Sequence, residues 1–305
     1  MGENRIQAYF EGKYVPLEEA KISILTHAFL YGTACFGGVR AYWNPEKGQL
    51  YGFRFEDHYR RLLNAAKLLR MNLKYSNEDL RNITIELLRK ANYRENVYLR
   101  PVAYKSSQGI GVKLHGLEDD FTVAVIPFGK YIDNNALRVT VSGWRRPDDN
   151  MLPSRGKING AYVNASLAKS DAVENGYDEA IFLTASGHVS EGSAENLFIV
   201  RKGQLITPPI TDDVLEGITR DSLMVLARDL GIEVVERSID RTELYFCDEM
   251  FLCGTAAQVS PVVEVDHRII GDGKIGPVSE KLAQAFNDVL LGKNEKYMHW
   301  LTPIF

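Results

Sequence analysis

Two runs of branched and aromatic residues, VYLRPVAY (97–104) and FTVAVIPF (121–128), constrain the fold of this chain more than any other feature. Each has the length and composition of a strand, and strands must be paired and covered. Directly after them comes GKYIDNNA (129–136), polar and rich in turn formers, and then a new strand-like run, LRVTVSGW (137–144). Such a break between two strand-bearing halves predicts two domains. They are a smaller N-terminal α+β domain over 1–128 and a larger C-terminal domain over 137–305, joined by an interdomain loop over 129–136. At 305 residues, 45% of them hydrophobic, the chain is long enough for two packed cores.

The remaining patterns fill in an α/β architecture. The opening, AYFEGKYVPLEEAKISIL, alternates around Gly12-Lys13 and predicts a hairpin. Residues 56–71 carry Leu62, Leu63, Ala66 and Leu69 at helical spacing, and a second helix over about 77–92 begins at Ser76 with Asp79 three residues on. In the second half the order is a helix over 161–175 stopped by Gly176, strands DEAIFLT and NLFIVR, a helix RDSLMVLARDL stopped by Gly231, and strands IEVVER and EMFLCGT. Helices therefore stand between strands.

The net charge of -4 offers no positive field for a nucleic acid or an anionic membrane. No apolar run approaches the roughly 20 residues of a membrane span. The start, MGENRIQAYF, lacks the basic-then-apolar order of a signal peptide, so the cytoplasm is the expected compartment. The three cysteines, Cys35, Cys247 and Cys253, match no zinc spacing with the histidines and read as small core residues, so no metal is expected.

Several short stretches can carry chemistry. LEGITRD (215–221) runs into a helix, so the backbone N–H groups of its first turn, with Thr219, suit a phosphate. GTAAQ (254–258) repeats the device, with Gly254 allowing close approach and Thr255 offering a hydroxyl. In RGKINGAYVNAS (155–166), Lys157 sits between Gly156 and Gly160 at a loop-to-helix junction, with Tyr162 five residues on. A lysine in a partly dry pocket near another cation is a nucleophile toward aldehydes. In HVSEGSAENLFIV (188–200), Glu191 stands among small residues that allow close approach, where an acid needs a partner. Each stretch alone is commonplace: a threonine cap, a surface amine, a turn carboxylate. Together they match pyridoxal phosphate, which has an aldehyde for a lysine, a phosphate for helix N-termini and a pyridine nitrogen for a carboxylate.

The motifs YGTACFGGVR (31–40), YLRP (98–101), GKINGAYVNASL (156–167), GHVSEGSAENLFIV (187–200), LEGITRD and GTAAQVSPV (254–262), in this order, resemble the branched-chain aminotransferase family of fold type IV pyridoxal-phosphate enzymes. The likeness runs from about Ala8 to about Pro277. It implies a two-domain fold with the cofactor at the domain interface and at least a homodimer. The implied reaction is ping-pong amino transfer between a branched-chain or other aliphatic L-amino acid and 2-oxoglutarate. Lys157 resembles the lysine that forms the Schiff base and shuttles the proton. Glu191 resembles the partner of the pyridine nitrogen, and Tyr162 the tyrosine that hydrogen-bonds the ring hydroxyl. Arg61, Ile218, Thr219 and Thr255 resemble the phosphate site.

On the substrate side the resemblance implies an apolar pocket of Phe36, Gly38, Tyr98 and Phe128, with the Ala256 and Ala257 amides near the α-carboxylate. Arg100, helped by Tyr31 and Tyr131, resembles the acceptor of glutamate's distal carboxylate, to which a planar guanidinium is suited. The loop SSQGIGVKLHG (106–116), with Ile110 and Val112 at its tip, resembles one that reaches into a neighbouring subunit's pocket. Three departures stand out. Gly37 replaces a glutamate, removing a charge near the pocket mouth, while Ala161 and Ala194 are small replacements that leave cofactor binding intact. The competing readings are a D-amino acid aminotransferase, an (R)-selective amine transaminase, an aminodeoxychorismate lyase-like enzyme and a non-catalytic cofactor-binding protein. Arg100 speaks against the lyase and Lys157 against the last.

Overall fold

The computed structural model describes residues 5–129 and 136–305. Most of the expected interdomain loop, with Tyr131, therefore lies outside the described residues. The chain forms two compact units. The first comprises the described residues of Met1–Gly129 together with Gly156–Gly160 and Asp288–Phe305; the second comprises those of Lys130–Arg155 and Ala161–Asn287.

In the first unit an eight-stranded sheet runs in the order Leu301–Pro303, Gln49–Phe53, Val39–Asn44, Val97–Lys105, Asp119–Pro127, Ile6–Phe10 and Lys13–Pro16, with Ala34–Phe36 also paired to Val97–Lys105. Every pairing is antiparallel. The two long runs pair along their whole length, from Val97 opposite Pro127 to Lys105 opposite Asp119. The predicted hairpin turns at Glu11-Gly12, whose φ angles of +47° and +78° are those of the turn that matches strand twist. Helices Phe55–Leu68 and Asn77–Ala91 pack on each other and on the sheet, burying Tyr59, Leu62, Leu80, Leu87 and Leu88. Ser76 and Asp79 form a complete capping box. The first helix stops short of residue 71 because Arg70 turns left-handed, at φ +52°, and the Met71 N–H returns to the Ala66 carbonyl.

The second unit holds a nine-stranded mixed sheet. Its order is Val189–Gly192, Glu179–Leu183, Leu137–Arg145, Gln258–Val265, Glu249–Gly254, Asn196–Arg201, Gln204–Thr207 and Val234–Glu236, with Arg268–Ile269 beside Gln258–Val265. Leu137–Arg145 and Glu179–Leu183 are parallel neighbours joined by helix Tyr162–Glu174; Gln204–Thr207 and Val234–Glu236 are joined by helix Ile218–Asp229. Parallel neighbours need such crossovers, which is why the sequence alternates helix and strand here. Between the sheet and its covering elements lies a core that includes Ile181, Leu197, Ile199, Leu252 and Val262. Cys247 belongs to that core, and Cys35 and Cys253 are also fully buried.

Candidate active site

Lys157 lies in the segment Gly156–Gly160 of the first unit. Its φ of +42° is in the left-handed region, disfavoured for any residue with a side chain, so the surroundings must hold it there. The Phe36 N–H donates to the Lys157 carbonyl at 3.2 Å, Cys35 bridges to Ile158, and the Gly160 N–H donates to the Gly32 carbonyl at 3.2 Å. The glycines are needed for this closeness: a β carbon at Gly156 would lie 2.9 Å from Ile158 Cγ1, and one at Gly32 would lie 2.8 Å from Gly160 Cα. Backbone strain is thus concentrated on the lysine, as is common where a side chain has to be aimed. Its Nζ is 5.1 Å from the centre of the Phe36 ring.

Around that ring the first unit gathers most of the expected substrate residues. The Arg100 guanidinium carbon is 4.4 Å from the Phe36 ring and 5.2 Å from the Tyr98 ring, and Tyr98 and Phe128 are 5.1 Å apart. Gly38 faces Tyr98 so closely that a β carbon there would be 2.5 Å from the hydroxyl oxygen. Gly37 faces away from that hydroxyl, toward Pro101 Cγ, 2.8 Å from where its β carbon would stand. Its missing side chain therefore opens no space beside Tyr98. Arg40, which the motifs did not single out, is buried and donates to the Phe128 and Gly129 carbonyls at 3.0 Å each, fixing the end of the aromatic wall. The Tyr31 hydroxyl accepts from the Gly111 N–H at 3.0 Å, next to the exposed Ile110 and Val112.

Arg61 is half-buried on helix Phe55–Leu68, one turn after the fully buried His58. Burial, and then the positive charges of Arg61, Arg54 and Lys157, hold the His58 imidazole well below its usual pKa, so it is neutral. Its Nδ1 is buried with no hydrogen-bond partner among the described residues.

In the second unit, Glu191 is buried at the end of its strand and held from three sides. Arg146 Nη2 is 2.5 Å from Oε1, and Oε2 accepts from Asn196 Nδ2 at 2.9 Å and from the Leu215 N–H at 3.0 Å. Arg146 also lies over the Phe182 ring and donates to Ser154 Oγ. A carboxylate has about four acceptor positions. Described residues fill three of them, one on Oε1 and two on Oε2. Asn196 Nδ2 also donates to the Leu215 carbonyl, and its Oδ1 occupies the place a β carbon at Gly217 would need. Glu191 is thereby tied to the turn that begins helix Ile218–Asp229, where Ile218 and Thr219 are buried. Thr255, Ala256 and Ala257 form the loop between paired Gly254 and Gln258, with Gln258 at φ +55° and Ser260 Oγ donating to the Ala257 carbonyl. Tyr162 opens its helix, half-buried against Ala165, Ala168 and Phe182.

Residues 34–265 match the family Amino-transferase class IV. The chain belongs to that family. A probable branched-chain-amino-acid aminotransferase of Aquifex aeolicus is 51% identical over 300 residues, covering 98% of this chain and 96% of its own. The branched-chain aminotransferase of Thermoproteus uzoniensis, solved with norvaline, superimposes with a TM-score of 0.95 at 44% identity, covering 98% of this chain and 99% of that one. A T.th. branched-chain amino acid aminotransferase, solved with N-(5'-phosphopyridoxyl)-L-glutamate, has a TM-score of 0.94 at 40% identity and covers 99% of each chain. The protein is accordingly a pyridoxal-phosphate-dependent aminotransferase of fold type IV.

The residues present fit that cofactor. An amine is held in strained backbone at Lys157, a buried carboxylate at Glu191 has more acceptor positions than the three that described residues fill, and a helix N-terminus is tied to that carboxylate by Asn196. Sequence reasoning missed Asn196 and Arg146. The first follows Glu191 closely enough in SEGSAEN to have been a candidate, whereas the second is brought to it only by sheet pairing.

Proposed function

We propose that this aminotransferase moves the amino group between branched-chain or other aliphatic L-amino acids and 2-oxoglutarate in a ping-pong cycle. The observation that carries this reading is Arg100 set against the Phe36 and Tyr98 rings, beside Lys157. A ring wall receives an aliphatic side chain through apolar contact, and a guanidinium at its edge receives the distal carboxylate of glutamate or 2-oxoglutarate. One site thereby accepts both partners. The relatives solved with norvaline and with the phosphopyridoxyl-glutamate adduct agree with that pairing.

Bound pyridoxal phosphate supplies the electron sink for loss of a proton from the amino acid's Cα. Lys157 binds the cofactor and carries that proton. Glu191 accepts the ring N–H, Tyr162 holds the ring hydroxyl, and Arg61, Ile218, Thr219 and Thr255 hold the phosphate. Ala256 and Ala257 orient the α-carboxylate. The enzyme works as a homodimer in the cytoplasm. In support of the dimer, Ile24, Leu25, Phe29 and Leu30 are exposed apolar residues in the stretch whose Leu25 carbonyl accepts from the Gly109 N–H of the loop that exposes Ile110 and Val112.

Purified protein given excess cofactor is expected to be yellow, and borohydride is expected to fix the cofactor to Lys157. In half-reactions, conversion of the cofactor to its amine form is expected with L-leucine, L-valine and L-glutamate. Conversion only with D-alanine or an (R)-arylamine would overturn the substrate assignment, and a colourless protein would overturn the assignment of Lys157.

A further inference from the structure

His27 is buried, 3% exposed, at the start of the one-turn helix His27–Tyr31. Its Nε2 lies 2.7 Å from the carbonyl oxygen of Gly111, 84 residues away. A carbonyl only accepts, so Nε2 donates to it, and Nδ1 pairs with the Thr33 hydroxyl at 2.7 Å. Four residues on, Tyr31 takes the other half of the same glycine, its hydroxyl accepting from the Gly111 N–H at 3.0 Å. The two rings are 4.8 Å apart. Both backbone polar groups of one loop glycine are therefore held by two side chains on successive turns.

Gly111 needs such holding. Its φ of +140°, like the +146° of Gly109, is open to glycine and disfavoured for other residues, so this stretch has no intrinsic preference for the shape it takes. Further back the loop is stitched to the segment before the helix: the Gly109 N–H donates to the Leu25 carbonyl, the His27 N–H to the Ser107 carbonyl, and Thr26 bridges to Gln108. At the end of this stitching, on either side of the pinned glycine, Ile110 and Val112 are 90% and 78% exposed. Two branched apolar side chains are held outward on an ordered loop by a buried histidine that contributes little else.

We propose that His27 is a positioning residue for substrate side-chain selectivity: by holding the Gly111 carbonyl it sets the angle at which Ile110 and Val112 are presented to the aliphatic substrate side chain in a second copy's active site. This rests on the proposed reading that the 106–116 loop serves a neighbouring subunit. A slack tip loses apolar contact with a large side chain and leaves proton transfer at Lys157 untouched. The effect belongs to KM for large substrates.

The test compares cofactor-loaded, full-length wild type with His27→Ala, His27→Gln and Tyr31→Phe. Amide hydrogen exchange over 109–112 is measured alongside kcat and KM for L-leucine and for L-alanine, whose side chain is too short to meet the tip. In His27→Ala, exchange at Gly111 and Val112 is expected to quicken about tenfold or more while Phe55–Leu68 is unchanged, and KM for leucine to rise about tenfold with kcat and the alanine KM within about twofold. His27→Gln, whose amide can donate to the same carbonyl, is expected to restore most of both. Tyr31→Phe removes the acceptor of the Gly111 N–H and is read by exchange only, which is expected to quicken at Gly111 and Val112 should His27→Ala not fold. Unchanged exchange at 109–112, equal losses for leucine and alanine, or a fall in kcat at constant KM would overturn the proposal. A monomeric wild type, seen by light scattering, would overturn the reading on which it rests; unchanged exchange in a dimer would overturn the histidine's role alone.

Discussion

Arg146 neutralises Glu191 inside the second unit: guanidinium and carboxylate meet at 2.5 Å with side chains only 13% and 4% exposed. Arg146→Met would leave the carboxylate buried without a cation, which in comparable pairs destabilises by about 3–5 kcal/mol. Urea unfolding of the apoprotein is expected to show a lower midpoint with an unchanged slope. Cofactor affinity, followed by absorbance titration, is expected to fall with it, and Arg146→Lys to recover part of both. A midpoint equal to the wild type would show that Glu191 needs no cation there.

Gly38→Ala sets a methyl group 2.5 Å from the Tyr98 hydroxyl, closer than any contact allows, so the ring of Tyr98 has to swing out of its place beside Phe128. The expected result is a KM for leucine raised about tenfold, since a displaced ring forfeits apolar contact worth about one to two kcal/mol. Gly37→Ala meets Pro101 instead, so it is expected to affect stability more than leucine KM. Steady-state kinetics of the two variants side by side distinguish the two faces.

His58 gives stability a dependence on pH whose sign follows from its buried, neutral state. Its folded pKa lies well below the ordinary value near 6.5, so on acidification the unfolded chain takes up a proton that the folded chain refuses. That contribution is complete above pH about 6.5 and is lost as pH falls below it. Urea midpoints at pH 7, 6 and 5 are expected to fall in the wild type and to fall less in His58→Gln; parallel curves would contradict the assignment.

What was legible in the sequence was local. The strand pair around 97–105 and 119–127, the first hairpin, expected around Gly12-Lys13 and turning one residue earlier, and the Ser76–Asp79 cap each announce themselves within a few residues. Lys157 stood out because glycines flank it, and the structure gives a reason: a β carbon at Gly156 would crowd Ile158, and Gly160 is the backbone against which Gly32 packs. Arg146 could not be read this way. It meets Glu191 only because the strand before it, Leu137–Arg145, pairs with Glu179–Leu183, which in turn pairs with Val189–Gly192. Nor could the return of Leu301–Pro303 to pair with Gln49–Phe53, a strand too short to show a period. His27, a lone histidine in the sequence, carries no sign that its partner lies 84 residues on.

The cysteines test the core directly. Cys35 and Cys247 are buried, and burial pushes each thiol up to about 12. The thiolate is the reactive form, so the native enzyme is expected to resist iodoacetamide at pH 8 and to take up three labels only when unfolded. Mass spectrometry of the intact protein reads the difference, and rapid native labelling would mean that one of these core sites opens.

Gly217→Ala is the sharpest probe of how the second unit's site is tied together. Its new β carbon would fall on Asn196 Oδ1, and Asn196 is the residue whose amide bonds both Glu191 and the Leu215 carbonyl. Moving it leaves a buried carboxylate with one donor fewer and a carbonyl unpaired, a loss of about 1–3 kcal/mol for each unsatisfied group. Because Gly217 is also the cap before helix Ile218–Asp229, the same shift displaces the N–H groups proposed to hold the phosphate. The expected outcome is weaker binding both of pyridoxal phosphate and of inorganic phosphate to the apoprotein, measured calorimetrically. Asn196→Ala is expected to weaken the cofactor and spare the phosphate. If both variants weaken both ligands equally, Asn196 supports the helix turn as well as Glu191, and the two halves of the site act as one.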